Sequence, residues 1–205
     1  SHILVYCGAT TMRDYGYSEG KVDQEEKRQI DVVIDLLGNK LGMRQSKFTS
    51  EESAEDREEL KAAFAEGKHI QALVAIRCLD EGVNIPSIKT AFILASSTNP
   101  KEYIQRRGRV LRKYPGKNYA KIYDFITLPV SLEEASNMSD EEIRSIRSLA
   151  MKEVTRMKDF ASIAENPSIS DELIFDISNV FHLNEYGGEE YDFRKWNQNR
   201  WKKTE

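Results

Sequence analysis

Glu102–Arg112 reads EYIQRRGRVLR. Four arginines, Arg106, Arg107, Arg109 and Arg112, fall within seven residues, and no acid stands among them. Residues 105–113 carry +5 in a chain of net charge −4, which leaves −9 for the remainder. An acidic chain has no global field that draws in polyanions, so any polyanion site must be local. On a helix, Ile104, Gly108 and Leu111 follow i, i+4, i+7 and define one face, expected to pack on a sheet with Gly108 admitting close backbone approach. Gln105, Arg109 and Arg112 repeat that spacing one step round, as a polar stripe at the sheet's margin. Two guanidiniums so spaced can converge on one point, and they match phosphate oxygens with paired hydrogen bonds at any physiological pH. The competing reading is a solvated cationic face, or arginines paired with acids of the same fold. Gly108 inside a helix costs about 1 kcal/mol relative to Ala, which argues for a specific use.

Upstream, ALVAIRCLDEGVNIP (72–86) runs from an apolar strand into a loop holding Glu81, Gly82, Asn84 and Pro86. ILVYC (3–7) and TAFILA (90–95) are further apolar runs of strand length, read as strands buried on both faces. SKFT (46–49) is weaker strand material, and YAKIYDFI (119–126) alternates as an edge strand does. Residues 11–22 look like a loop. Helices are expected over 23–37, stopped by Gly38, and over SAEDREELKAAFAEG, capped near Ser53 and ended by Gly67, with Leu60, Ala63 and Phe64 on one face. Asn99, Pro100 and Glu102 mark the start of the arginine helix. Strands alternating with helices predict an α/β fold, a parallel sheet with helices on both faces.

After Pro129 the pattern becomes helical. Ser139 and Glu142 make a capping box before a stripe of Ile143, Ile146, Ala150, Val154, Met157 and Ala161. Asn166-Pro167 interrupts it, and a second helix is expected with Leu173, Ile177, Val180 and Phe181 inward. We expect residues 1–130 as one domain and 131–205 as a helical extension with a polar, aromatic tail.

At 205 residues, with 40% apolar and 31% charged content, the chain is of ordinary globular composition. Cys7 and Cys78 lie in apolar runs and read as free buried thiols. Two cysteines and three histidines offer no zinc spacing, and no metal site is expected in the chain. There is no secretion signal and no apolar run of about 18 residues. A cytoplasmic setting without membrane contact is the expectation.

Taken together, LVAIRCLDEGVNIP and QRRGRVLR resemble motifs V and VI of the second RecA-like lobe of superfamily 2 helicases and translocases of the DEAD/DEAH type. ILVYCGA fits the opening strand, and TSEESAEDREELKAAFAEG the segment after it. CLDEG and NPKEYIQRRGRVLR look most like the bacterial DNA-translocating branch, which includes restriction and phage-defence helicases. The resemblance covers about residues 1–130.

It implies a RecA-like sheet and an ATP site shared with an N-terminal lobe, which would hold ATP and Mg2+. Arg109 and Arg112 would be arginine fingers, Gln105 a contact to the γ-phosphate or to acids of the facing lobe, and Arg106 a brace of the motif or a nucleotide contact. Glu81, Gly82 and Asn84 would lie near the nucleotide; the family's usual acid is Asn84 here, which still accepts a hydrogen bond but carries no charge. Thr49 and Ser50 match positions that touch a nucleic-acid backbone; Arg77, where the family often has Thr, and Thr98, at a strand's end where ligand loops sit, would be further contacts, double-stranded DNA being the expected partner. For Ser50 a helix cap, and for Arg77 a plain surface position, remain open. The Gly-Lys pairs at 20–21, 67–68 and 116–117 lack the rest of a phosphate-binding loop. No acidic pair stands ready to hold magnesium, so the chain is expected to need a partner lobe for ATP hydrolysis. The alternative is an ATPase-inactive module for nucleic-acid or protein binding derived from such a lobe.

Overall fold

The computed structural model describes residues 2–8, 11–13, 26–49, 52–76, 85–95 and 100–183. The chain divides into two compact units, Ser1–Ile126 and Thr127–Glu205. In the first, β1 (Ile3–Cys7), β4 (Gln45–Phe48), β5 (Ala72–Ile76), β6 (Thr90–Ile93) and β7 (Lys121–Asp124) form one sheet in the order β4-β5-β1-β6-β7. Every pairing in it is parallel, with Val5 opposite Val74 on one side and Phe92 on the other. This is the expected α/β fold, a parallel sheet with the apolar run 3–7 at its centre.

Strand residues alternate between faces, which fixes what each helix covers. Val5 and Cys7 of β1 and Val74 of β5 form a buried cluster with Ile30 and Val33 of α1 (Gln29–Asp35). Leu4 and Tyr6 point the other way and are equally buried. The Tyr6 ring lies under Arg106 of α3 (Pro100–Val110). Helices therefore cover both faces. Cys7 is a buried free thiol, and burial pushes its pKa up to about 12; Cys78 lies outside the described residues.

The stretch around residues 11–40 departs from what its composition suggests. Thr11–Arg13 is not loop but strand β2, paired antiparallel with β3 (Glu26–Arg28). The helix expected from residue 23 begins only at Gln29 because Glu26–Arg28 are engaged in that ribbon. Nor does Gly38 stop it: the helix widens into a π-helical turn over Leu36–Lys40. Gly42 ends it, with φ at 63°. The Gly42 N–H donates to Gly38 O at 3.1 Å, and that of Met43 to Leu37 O at 2.8 Å. Those bonds satisfy carbonyls that a helix end leaves open.

Helix α2 (Ala54–Glu66) behaves as expected. Ser53 and Asp56 form a reciprocal capping box, Phe64 is buried, and Gly67 closes the helix in the left-handed region. The His2 ring leaves no room for a Cβ at Gly67, 2.8 Å from its nearest atom.

In the second unit, α4 (Leu132–Ser136), α5 (Asp140–Ala161) and α6 (Pro167–Val180) follow one another. The Ser139–Glu142 capping box is formed, and Ile143, Ala150, Val154, Met157 and Ala161 are buried as the stripe predicts. On α6 the buried side is Ile174, Ile177 and Ser178, so Leu173 is exposed where it was expected inward.

Candidate functional site

The arginine helix begins at Pro100 as the sequence indicates; its expected cap, Asn99, lies outside the described residues. Its orientation is the main correction. Ile104 and Leu111, expected against the sheet, are 42% and 43% exposed, whereas Tyr103, Arg106 and Val110 are buried. Among the described residues nothing beyond the helix's own neighbouring backbone lies within 4 Å of a Cβ placed on Gly108. The glycine is therefore not explained by packing on this sheet.

Arg106 takes the inward place because the sheet offers it partners. One guanidinium nitrogen donates to Ala95 O at 3.4 Å, its carbon sits 5.5 Å from the Tyr6 ring centroid, and Glu102 lies 3.7 Å away one turn earlier. A guanidinium is planar, weakly hydrated and stacks well on an aromatic face. Arg106 is thus buried against the sheet. Gln105 and Arg112 are exposed and Arg109 is half-buried. Gln105 and Arg109 lie between the buried face of Tyr103, Arg106 and Val110 and the exposed face of Ile104, and Arg112 follows two residues past the helix end.

Thr49 follows the carboxyl end of β4. Its backbone N–H and its hydroxyl both donate to Glu52, at 2.5 and 2.8 Å. The hydroxyl proton it would offer a phosphate is directed at that carboxylate. Ser50, Arg77, Glu81, Gly82, Asn84 and Thr98 lie outside the described residues. Among the described residues no cluster of His, Cys, Asp or Glu is suited to a metal ion, and no helix is long and apolar enough to cross a membrane.

Sequence reasoning missed what holds the end of α3. The Lys117 ammonium donates to Val110 O, Arg112 O and Pro86 O, at 2.5, 2.9 and 3.2 Å. Burial lowers the Lys117 pKa. The signal was present as Pro115-Gly116, a turn dipeptide just past the helix.

Comparison with known proteins adds the following. Residues 21–114 match the family model described as the helicase conserved C-terminal domain. A curated relative, the DNA 3'-5' translocase XPB2 of Sulfurisphaera tokodaii, is 25% identical over 107 residues, which are 47% of this chain and 24% of that protein. The chain thus spans about a quarter of that relative's length. Among solved structures, the C-terminal part of the Fun30 ATPase domain covers 88% of this chain, and 48% of its own is covered, at 17% identity and a TM-score of 0.48. The C-terminal domain of the DEAD-box protein Dbp5 gives 60% coverage of each chain, 20% identity and a TM-score of 0.43. The helicase domain of Hef from Pyrococcus furiosus gives 62% and 22% coverage, 23% identity and 0.38. The family match spans α3 and all its arginines, and it lies within the first unit.

Proposed function

We propose that the chain is the C-terminal lobe of an ATP-dependent DNA helicase or translocase, with residues 131–205 as a helical extension. Its ATP site is shared with an N-terminal lobe, carried by the same polypeptide or by a partner. The observation that supports this most is the family match running through α3, whose anchoring is assigned to Tyr103, Arg106 and Val110. In this reading Gln105, Arg109 and Arg112 act on a ligand.

Bound mainly by the other lobe, ATP with Mg2+ supplies the phosphoryl group transferred to water. The described residues fit one part of this chemistry, since guanidiniums suit phosphate oxygens; in this reading the magnesium belongs to the other lobe. Arg109 and Arg112 neutralise charge on the triphosphate, and Gln105 orients by hydrogen bonding. Glu81, Gly82 and Asn84 face the nucleotide in this reading. Thr49, Ser50, Arg77 and Thr98 grip a DNA backbone, double-stranded, without reading sequence; Thr49 must first release Glu52. The likeness of CLDEG and NPKEYIQRRGRVLR to bacterial restriction and phage-defence helicases supports membership of that branch, in the cytoplasm.

The test uses the complete enzyme, this lobe together with its N-terminal lobe. Arg109→Ala and Arg112→Ala should each lower ATP turnover by about 10³-fold and leave DNA affinity within a few-fold. Normal turnover in both variants overturns the proposal. A second reading, a binding module without ATPase function, is favoured by Asn84 standing where the family has an acid. Salt-dependent DNA binding by this chain, with no turnover after the N-terminal lobe is supplied, would establish it.

A further inference from the structure

Helix α3 ends at Val110, two residues before Arg112. The carbonyls of a helix's last turn have no partner inside the helix. Beyond them the chain runs Lys113-Tyr114-Pro115-Gly116-Lys117. Proline fixes its own φ near −65°, Gly116 has φ of 72°, and the Lys117 N–H donates to Tyr114 O at 3.0 Å. Proline second, glycine third and a closing hydrogen bond make a tight turn with the chemistry of type II. The turn reverses the chain and brings Lys117 back over the end of α3.

There its ammonium uses all three of its N–H groups. Two go to Val110 O and Arg112 O, the backbone that carries Arg112. The third goes to Pro86 O, in the segment that enters β6 directly after residues 77–84. A cation at a helix C-terminus is favourable against the helix dipole. A plain cap, however, needs only the first two bonds. The third ties the arginine helix to the stretch that follows Glu81, Gly82 and Asn84.

We propose that Lys117 is a positioning residue of the ATPase, setting the reach of Arg112 and tying the end of α3 to the backbone at Pro86. This rests on the reading that Arg109 and Arg112 act on ATP. In this role Lys117 acts through the three backbone carbonyls it donates to. Displacement of a catalytic group by about 1 Å can cost on the order of 100-fold in rate, so loss of the clamp is expected to lower kcat well beyond its effect on stability.

The experiment compares Lys117→Met, Lys117→Arg, Arg112→Ala and the double variant Lys117→Met/Arg112→Ala in the complete enzyme. Lys117→Met keeps the apolar stem and removes the donors. Its kcat per folded molecule should fall by about 10- to 100-fold, with the KM for ATP and DNA affinity changed less than about threefold. The loss should vanish in the Arg112→Ala background, since the clamp acts through that residue. Lys117→Arg, which restores charge and donors, should recover part of kcat. Hydrogen exchange at the amides of residues 110–112 should quicken in Lys117→Met.

Unchanged kcat in Lys117→Met, with Arg112→Ala inactive, overturns this inference and leaves the ATPase reading standing. So does a loss of equal size in both backgrounds, or one explained entirely by unfolded protein. Normal turnover in Arg112→Ala and Arg109→Ala overturns the ATPase reading itself, and this inference with it.

Discussion

Helices α3 and α5 each bury one arginine, and they do so in opposite ways. On α5, Arg156 is 1% exposed and forms a two-pronged pair with Glu153, at 2.9 and 2.8 Å. Glu153 also accepts the Thr127 N–H at 3.2 Å, so the pair ties the start of the second unit to its long helix. On α3, Arg106 is 6% exposed but rests on a carbonyl, an aromatic ring and a carboxylate at 3.7 Å. The apolar residues divide the same way. On α5, Ile143, Ala150, Val154, Met157 and Ala161 point inward along one stripe and Leu149 alone of its large apolar side chains is exposed, while both Ile104 and Leu111 of α3 lie on the surface. A helix whose pattern and packing agree is explained by its own unit. One whose pattern and packing disagree is where function is expected to have shaped the sequence.

Substitution of the two buried arginines sharpens this contrast most. Arg156→Met strands the Glu153 carboxylate in the interior, and breaking a buried pair from one side costs about 3–5 kcal/mol. Arg106→Met leaves Glu102, whose side chain is 40% exposed and can turn to water. Its expected cost is about 1–2 kcal/mol, that of a hydrogen bond and some packing. Denaturant midpoints for the two variants check the difference. Equal losses would mean that α3 is closed as tightly as α5, and the contrast would fail.

Gly108→Ala is the next largest effect, and of opposite sign. The added methyl meets open space, and an exposed helical glycine costs about 1 kcal/mol relative to alanine. The variant should therefore unfold at higher temperature. In the complete enzyme its turnover should nevertheless fall, because the proposed function sets the facing lobe or ligand against this helix. A gain in stability with undiminished turnover would leave the glycine unexplained by either packing or function. Ile104→Ser and Leu111→Ser should each change stability of this chain by less than about 0.5 kcal/mol, as surface positions do. A larger loss in a melting experiment would show that this face is closed after all.

How legible all this was in the sequence depends on where each residue's partners lie. The strands 3–7, 72–76 and 90–93 were readable because buried parallel strands are continuous apolar runs, and length alone separates them from helices. The Ser53, Gly67 and Ser139 boundaries were readable because caps are local chemistry. The start at Gln29 was not, since it is set by pairing with Thr11–Arg13, a contact that spacing does not reveal. The buried face of α3 was misread for a related reason: hydrophobicity nominated Ile104 and Leu111, but the sheet offered Tyr6 and the Ala95 carbonyl, which favour Arg106. Lys117 escaped notice because its three acceptors are backbone atoms and leave no mark in composition.

The smallest expected effect concerns the cap of α5, and it shows how local that helix's stability is. The Ser139 hydroxyl, then the Ser139 backbone N–H, hold the Glu142 carboxyl below its ordinary pKa. A folded pKa below the unfolded one means that the unfolded chain binds the extra proton. Stability from this carboxylate is therefore complete above the unfolded pKa and lost as pH falls through the folded one. Glu142→Gln can still accept from Ser139 but does not titrate. Wild type should exceed it in thermal midpoint at about pH 6, and the gap should narrow toward about pH 3. A gap that stays constant over that range would show that the box contributes through hydrogen bonding alone. The charge would then add nothing at the start of α5, despite the dipole favouring an anion there.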